Sequence, residues 1–270
     1  MQVTISAERN NCQVSSMETI NVRDEGAIRI LEMDRPEALN AFSSLLMDEL
    51  TDAFQAAAGD NSIKVVVLTG AGRAFSAGAD LQEMGQPRGE PPRHGFAGLL
   101  DTLIDFPKPF FVAVNGVGAG IGATICGLAD FAYMAESARL RCPFSSLGVT
   151  AEAASTYLFP RLMGRQKASW FLLAAEWMSA TECLEAGLVM DVLADDALMP
   201  GVLEQAGKLA ALPLASLVTT KKLIMDPLRE QMRASAKAEN EGLAAMVGGP
   251  ANREALAAFR EKREPNFSGI

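Results

Sequence analysis

One segment constrains the fold of this chain more than any other: the glycine-rich stretch 115–130, NGVGAGIGATICGLAD. It directly follows PFFVAV, an apolar run that predicts a buried strand. Its four glycines at alternate positions let the backbone turn sharply and let another molecule approach closely, because glycine has no Cβ. A helix is predicted to begin there, and a helix N-terminus presents unpaired N–H groups and a partial positive charge. The segment is therefore predicted to stabilise a developing anion, as half of an oxyanion hole.

The composition predicts a globular protein with a full core. A chain of 270 residues with 49% hydrophobic content suits one large domain, or one domain with an appendage. The net charge of −9 disfavours nucleic acid as a partner. Four widely spaced cysteines without a C-x-x-C pair predict reduced thiols, no zinc site and a cytoplasmic location. Residues 110–129 are uncharged over a membrane-spanning length, but their five glycines argue against a spanning helix, so no membrane is expected.

Strand and helix patterns alternate in the first half of the chain, which is typical of α/β architecture with right-handed crossovers. Strands are predicted at 28–33, 64–69, 110–114, 131–135 and 140–142, with a further strand end in 73–81, and helices at 41–58 and just before Pro107. Later elements are predicted as helices at 155–175 and 181–186, a strand at 189–192, and a helical stretch over 198–263 broken at Pro213, Pro227 and 248–250. We expect a polar arm at 1–17, a core domain at 18–197, a mobile loop at 86–95 and a helical region at 198–270.

A series of ordered motifs resembles the crotonase superfamily, the enoyl-CoA hydratase/isomerase family, from about residue 19 to residue 267. The motifs are RPEALNA at 35–41, LTG at 68–70, FSAGADL at 75–81, KP at 108–109, AVNG at 113–116, Asp130, ATECLEAG at 180–187 and AFREKR at 258–263. The resemblance implies the α/β crotonase fold, a spiral of ββα units with a C-terminal helical trimerisation region. It also implies acyl-CoA thioester ligands, a homotrimer or dimer of trimers, and no cofactor, since coenzyme A is part of the substrate.

The resemblance assigns two backbone N–H groups, those of Ala79 and Ile121, to the thioester oxygen. Both residues stand at glycine-flanked strand ends, where preorganised donors are worth on the order of 3 kcal/mol each to an enolate-like transition state. Ile121 replaces a glycine that is common in the family's hydratases. The N–H survives this change, and the larger side chain is expected to reshape the acyl pocket.

Further residues are assigned by the same resemblance to binding of coenzyme A or the acyl group. The adenine is expected against the backbone of 77–79, and the last helix is expected near the nucleotide, reaching it from a neighbouring subunit. The residues assigned are Arg73, Ala77, Gly78, Asp80, Leu81, Gly120, Thr124, Phe144, Phe259 and Lys262. Asp80 is expected to make a structural hydrogen bond, as is Asp130, and Lys262 in the run REKRE is open to the alternative of a solvated charge.

Two departures from the family pattern concern the acid residues. Hydratases of the family use two glutamates to position and activate water, and the matching positions here are Thr124 and Phe144. Neither side chain can act as a carboxylate base, and hydration needs one group to take a proton and one to give it. Ordinary hydration is therefore disfavoured.

A single glutamate, Glu152, stands eight residues beyond Phe144 in a stretch that resembles the peroxisomal-type delta-3,delta-2-enoyl-CoA isomerases. In that subgroup the aligned glutamate is the catalytic base, which would take a proton from C2 and return one to C4. Apolar walls from Phe144, Leu147, Val149 and Leu158 would raise its pKa. The alternative is a surface glutamate, or one favoured by a helix N-terminus.

Other functional classes fit the sequence less well. The match G-x-G-x-x-A at 118–123, with Glu136 downstream, would suit a nicotinamide dehydrogenase, but the sequence turns helical where that fold needs further strands. The sole histidine, His94, lies in the Pro-rich loop, which argues against a His-based triad and predicts a solvent-exposed residue. A hydratase or related CoA-ester lyase, and a non-catalytic acyl-CoA-binding protein, remain the alternatives.

Overall fold

A computed structural model of the chain describes residues 17–81, 83 and 91–270. The polar arm predicted at 1–17 lies outside the described residues except for Met17. The loop predicted at 86–95 also lies outside them, except for its last five residues.

The larger sheet has six strands in the order β1-β2-β3-β5-β7-β10. These strands are β1 (Ile20–Glu25), β2 (Ile28–Met33), β3 (Val65–Gly70), β5 (Phe110–Val114), β7 (Phe131–Ala135) and β10 (Asp191–Leu193). Neighbours run parallel except for β1 and β2, which form an antiparallel hairpin. Every residue of β3 and β5 is buried, as expected for apolar strands covered on both faces.

The smaller sheet has four short strands in the order β4-β6-β8-β9. They are β4 (Ala74–Ser76), β6 (Val117–Ala119), β8 (Arg139–Arg141) and β9 (Trp177–Ser179). Each of the first three directly follows a strand of the larger sheet, so the chain repeatedly runs strand, strand, helix. This is the spiral of ββα units that the family resemblance implied.

The helices described are α1 (Ser44–Gly59), α2 (Gly95–Asp105), α3 (Ile121–Thr124), α4 (Ser155–Met163), α5 (Arg165–Leu173), α6 (Ala180–Ala186), α7 (Leu198–Ala210), α8 (Leu214–Met246) and α9 (Pro250–Glu261). The helix predicted at 155–175 is split at Gly164, whose φ of +75° is outside the helical range. The break predicted at Pro227 is wrong, because α8 continues through it. Contacts hold α8 on both sides of the proline: Lys221 binds Asp130 at 2.6 Å, and Arg229 donates to the Ile104 carbonyl at 3.0 Å.

Three strands are absent from the sequence prediction. β1 lies at the sheet edge with mostly exposed side chains, so its sequence has the polar character of an arm. β6 and β9 have three residues each, which is too few to show the alternation of apolar and polar residues that marks a strand. In the described ranges no helix is long and apolar enough to cross a membrane, and the uncharged stretch 110–129 forms β5, β6, α3 and a 3-10 turn.

Candidate active site

The motif RPEALNA holds the loops that follow β3 and β4. The Asn40 side chain donates to the carbonyls of Ala71 and Ala74, both at 2.9 Å, and accepts from the Arg35 N–H at 2.9 Å. Asn40 is fully buried and has a φ of +54°, a conformation that asparagine tolerates better than most residues. The motif therefore fixes the backbone that leads into β4 and its following turn.

Arg35 connects the same motif to the turn after β4. Its guanidinium donates to the Ala41 carbonyl at 2.6 Å and to the Asp80 carboxylate at 3.0 Å. Asp80 is partly buried, and this ion pair holds the turn beside Ala79. The geometry agrees with the structural role expected for Asp80.

The Ala79 N–H points away from the core side of its turn. Phe42 donates its N–H to the Gly78 carbonyl at 2.8 Å and accepts from the Asp80 N–H at 3.1 Å. In such a parallel bridge the residue between the two bonded positions presents its own N–H on the opposite side. Among the described residues no acceptor bonds this N–H, and Ala79 is exposed.

The two predicted donor turns meet in the structure. Gly78 has a φ of +94°, and a Cβ there would lie 2.8 Å from the Ala119 carbonyl oxygen and 3.7 Å from the Gly120 Cα. Gly120 has φ +54° and ψ −122°, which favours glycine, and Ile121 begins α3 directly after it. The Ile121 N–H likewise has no acceptor in the described part of the chain, while its side chain is buried. Glycine at 78 is thus needed for the close approach of the two turns.

Glu152 brings a carboxylate to this junction. Its Oε1 lies 3.7 Å from the position that a Cβ on Gly120 would occupy. No donor of the described residues bonds its carboxylate, and the side chain keeps a partial exposure. Burial first, and the charge of Glu239 second, raise the pKa of Glu152 to about 7. The carboxylate is thus largely desolvated, adjacent to the Gly120 turn, and close to half-ionised at neutral pH.

Thr124 and Phe144, which the family resemblance matched to the two hydratase glutamates, are both buried. Phe144 is 6% exposed, and Thr124 is completely buried with no hydrogen-bond partner for its Oγ1 among the described residues. Ser155, at the start of α4, carries the second buried hydroxyl without a partner in that part of the chain. Ser155 is not among the site residues predicted from sequence, because a serine at a helix start usually acts as a cap.

The remaining predicted ligand residues divide into two groups. Arg73 and Ala77 are exposed and Leu81 is partly exposed, so the chain around β4 presents accessible backbone and side chains. Phe259 on α9 and Lys262 directly after its end are exposed, and no described hydrogen bond or ion pair joins them to residues 73–81 within one chain. The first turn of α9 instead lies near the segment between β8 and Glu152, where the Asn252 side chain donates to the Leu147 carbonyl at 2.8 Å.

Two side chains with predicted structural or passive roles have defined partners. Asp130 accepts from the Phe110 N–H at 2.8 Å and from Lys221 at 2.6 Å, in agreement with a structural role. His94 was expected to be solvent-exposed, but it is only partly exposed and its Nε2 lies 2.9 Å from the Asp52 carboxylate. The contact arises because the chain before α2 lies against α1, which the sequence pattern did not reveal.

A separate surface groove of about 440 Å³ lies at α5 and β9. Its lining includes Trp170, Phe171 and Trp177, and none of Ala79, Ile121 and Glu152. The groove is therefore distinct from the junction of the two glycine turns.

Comparison with known proteins identifies the class to which this fold and site belong. A family model described as enoyl-CoA hydratase/isomerase matches residues 23–269, and the chain belongs to this family within the crotonase superfamily. A crystal structure of an enoyl-CoA hydratase/isomerase from Pseudoalteromonas atlantica T6c superposes with a TM-score of 0.89 at 34% identity, covering 93% of this chain and 100% of that one. The predicted fold is thereby confirmed, and the nicotinamide dehydrogenase alternative is not supported.

Curated relatives with different reactions lie at similar distances from this chain. It is 33% identical to 1,2-epoxyphenylacetyl-CoA isomerase of Escherichia coli K12, over 94% of this chain and 99% of that protein. It is 32% identical to 2,3-dehydroadipyl-CoA hydratase of the same strain, over 94% and 100%. It is 34% identical to Enoyl-CoA delta isomerase 2 of Rattus norvegicus, over 80% of this chain and 56% of that protein. The family and its CoA-ester chemistry are shared, whereas isomerase and hydratase names occur side by side.

Proposed function

We propose that the chain is an enoyl-CoA isomerase that moves a double bond from position 3 to position 2 of an acyl-CoA thioester, in fatty-acid metabolism. One observation carries the proposal: the Glu152 carboxylate, which no donor of the described residues bonds, lies beside the Gly120 turn, and its pKa is raised to about 7. By the family resemblance, Thr124 and Phe144 stand where hydratases carry their two glutamates, so Glu152 is the one carboxylate that the resemblance leaves for proton transfer. One base suffices for an isomerisation, because the same group serves as acceptor and donor.

The proposed reaction is a proton shuttle between two carbons of the substrate. The thioester oxygen accepts hydrogen bonds from the Ala79 and Ile121 N–H groups, while the Glu152 carboxylate removes a proton from C2. The electron pair of that C–H bond enters a dienolate whose negative charge is held at the thioester oxygen. Glu152, now a carboxylic acid, delivers the proton to C4, and the double bond closes between C2 and C3. No atom is gained or lost, and no metal or redox cofactor takes part.

The raised pKa of Glu152 suits both halves of this shuttle. A base with a pKa near the working pH is ionised often enough to accept a proton and acidic enough to return it. Removal from water supplies most of the shift, and it also strengthens the hydrogen bonds to the developing oxyanion.

The coenzyme A moiety is proposed to lie along the chain around β4. The exposed backbone at Ala77 and Ala79 is open to the adenine, with Arg73 and Leu81 beside it. Phe259 and Lys262 would then reach the nucleotide from a neighbouring subunit of a homotrimer or dimer of trimers. Exposed apolar side chains on α8, Leu223 and Ile224, are 72% and 62% exposed and suit such a subunit contact. Light scattering of the purified protein measures the assembly state.

A hydratase is the second candidate, and the two unpartnered buried hydroxyls favour it. Thr124 and Ser155 have no hydrogen-bond partner in the described part of the chain, and such groups often bind an ordered water. Without a second carboxylate, however, the addition of that water has no evident proton donor.

The deciding experiment supplies a 3-enoyl-CoA to the purified protein and follows ultraviolet absorbance of the conjugated 2-enoyl-CoA, with hydration of a 2-enoyl-CoA assayed in parallel. Rapid conjugation with little hydration is the expected result. Hydration without conjugation would support the second candidate. Tight binding of both thioesters with neither reaction would support a non-catalytic acyl-CoA-binding protein.

A further inference from the structure

A second glutamate, Glu239 of α8, is buried behind the turn that carries Glu152. It is 4% exposed and is surrounded by donors of the chain that starts α4. Its Oε2 accepts from the Ala154 N–H at 2.7 Å, and its Oε1 accepts from the Thr156 N–H at 2.9 Å and the Thr156 hydroxyl at 2.6 Å. Glu239 therefore caps the first turn of α4 from a helix that lies more than eighty residues further along the chain.

The turn held by Glu239 has a strained backbone. Ala153 and Ala154 have φ values of +60° and +57°, in the left-handed region that residues with a Cβ seldom adopt. The turn begins immediately after Glu152, whose carbonyl accepts the Ser155 N–H at 3.1 Å. Since strained turns persist only where surrounding bonds hold them, the two hydrogen bonds from backbone N–H groups to Glu239 fix the direction in which Glu152 leaves the turn.

Glu239 also acts on Glu152 by its charge. No cation of the described residues forms an ion pair with Glu239, and its bonded donors are neutral N–H and O–H groups. The titratable groups acting on one another here are Glu152, Glu239 on α8 and the Cys142 thiol after β8. Burial, first of all, raises the pKa of Cys142, so the thiol stays neutral and Glu239 is the neighbouring charge that disfavours ionisation of Glu152.

We propose that Glu239 is a positioning residue, which fixes the turn 152–156 and so the place of the Glu152 carboxylate beside Gly120, and which acts on that carboxylate by its negative charge. The inference rests on the proposed function, since it takes Glu152 as the reacting base. It assigns to α8, a helix of the C-terminal region, a direct part in preparing the site.

The test compares Glu239→Gln with Glu241→Gln, the same change two residues away at an exposed glutamate of the same helix. In Glu239→Gln we expect the acid limb of the kcat/KM profile to move toward acid by roughly one unit, because the change removes a neighbouring negative charge that disfavours ionised Glu152. We also expect kcat to fall, because one backbone N–H loses its acceptor. Glu241→Gln should leave both the profile and kcat unchanged.

A second readout needs no turnover. The difference in unfolding free energy between the parent protein and its Glu152→Gln variant changes with pH only between the unfolded pKa of Glu152, about 4.5, and its native pKa, about 7. When both proteins also carry Glu239→Gln, the pH dependence of this difference should end at a lower pH, because the native pKa of Glu152 is then lower. If Glu152→Gln keeps full turnover, the proposed function fails. If Glu152→Gln is inactive but Glu239→Gln changes neither the kcat/KM profile nor the pH dependence of the unfolding free energy, only the role of Glu239 is overturned.

Two further variants keep the test informative if Glu239→Gln does not fold. Ser235→Lys leaves Glu239 in place and brings a cation to it, since the Ser235 hydroxyl lies 3.5 Å from the Glu239 carboxylate; the acid limb should again move toward acid. Glu239→Asp keeps the charge but shortens the reach, so kcat should fall while the acid limb stays. An unmoved limb in Ser235→Lys, or undiminished kcat in Glu239→Asp, would contradict the proposal.

Discussion

Two glutamates, the buried Glu239 and the partly exposed Glu152, face the same turn and differ in what bonds them. Glu239 accepts hydrogen bonds from two backbone N–H groups and the Thr156 hydroxyl, with Ser235 at the limit of bonding distance. Glu152 has no donor among the described residues, and its pKa is raised to about 7. A bonded carboxylate is stabilised in its ionised form, whereas an unbonded one retains its affinity for a proton. The first pattern suits a structural anchor and the second a group that exchanges protons.

The largest effect is expected from Glu152→Gln. The amide keeps the shape of the side chain but cannot take the C2 proton, so kcat should fall by about 10³-fold or more, within the range typical of general acid–base groups. Affinity for the acyl-CoA should stay within a few-fold, because the oxyanion donors are backbone groups. Single-turnover kinetics and a binding titration separate the two quantities. Preserved turnover in Glu152→Gln would show that Glu152 is not the proton-exchanging group, and the functional difference from Glu239 would be lost.

The next largest effect is expected from Gly78→Ala. A Cβ at this position would lie 2.8 Å from the Ala119 carbonyl oxygen and at a φ of +94°, so the two donor turns must separate. Misplacing one oxyanion donor typically costs about 10²- to 10³-fold in kcat.

The matched control for Gly78→Ala is Gly26→Ala. Gly26 also has a positive φ, +61°, but nothing lies within 4 Å of the added Cβ. This change should lower stability by about 1 kcal/mol and leave kcat intact. Equal losses of activity in both variants would show that the proximity of the two turns does not matter.

A third effect concerns pH. The proposed reaction begins with ionised Glu152, whose pKa of about 7 lies above the ordinary value of 4.5. The value of kcat/KM should therefore fall about tenfold for each pH unit below 7. The raised pKa also affects stability, because the native state holds the Glu152 proton more tightly than the unfolded state does. The contribution of Glu152 to the free energy of unfolding is therefore complete below pH 4.5 and is lost as the pH rises to about 7. An acid limb near 4.5 would indicate a solvated Glu152 carboxylate and would contradict its assignment as the proton-exchanging group.

Local patterns and long-range contacts were predictable from sequence to very different degrees. The bounds of β2, β5 and β7 coincide with the predicted strands, because short stretches of apolar and β-branched residues bounded by turn residues give a local signal. The uninterrupted α8 was not predicted, because the contacts that hold it across Pro227 come from distant elements.

The candidate site shows the same limit. Its residues were named through motifs, but the bonds from Phe42 that orient the Ala79 turn join segments more than thirty residues apart. Glu239 was missed although it follows Met232 and Ala236 at helical spacing, because a lone glutamate on such a stripe has no visible partner in the sequence; the fold brings it to Ala154.

The smallest effect is expected from Thr124→Ala, at the position of a hydratase glutamate. Because the Thr124 hydroxyl has no partner in the described part of the chain, its removal relieves an unsatisfied buried group, and stability should be unchanged or slightly higher. The control is Thr69→Ala, whose buried hydroxyl donates to the Ala113 carbonyl at 2.9 Å and whose loss should lower stability by about 1–2 kcal/mol.

Isomerase activity of Thr124→Ala should stay within a few-fold of the parent, because the proposed shuttle uses no group at position 124. Urea unfolding and the conjugation assay measure the two outcomes. If Thr124→Ala lost as much activity as Glu152→Gln, the hydroxyl would be holding a water that the reaction requires. The site would then work as a hydratase, with Glu152 as only one of its two proton-handling groups.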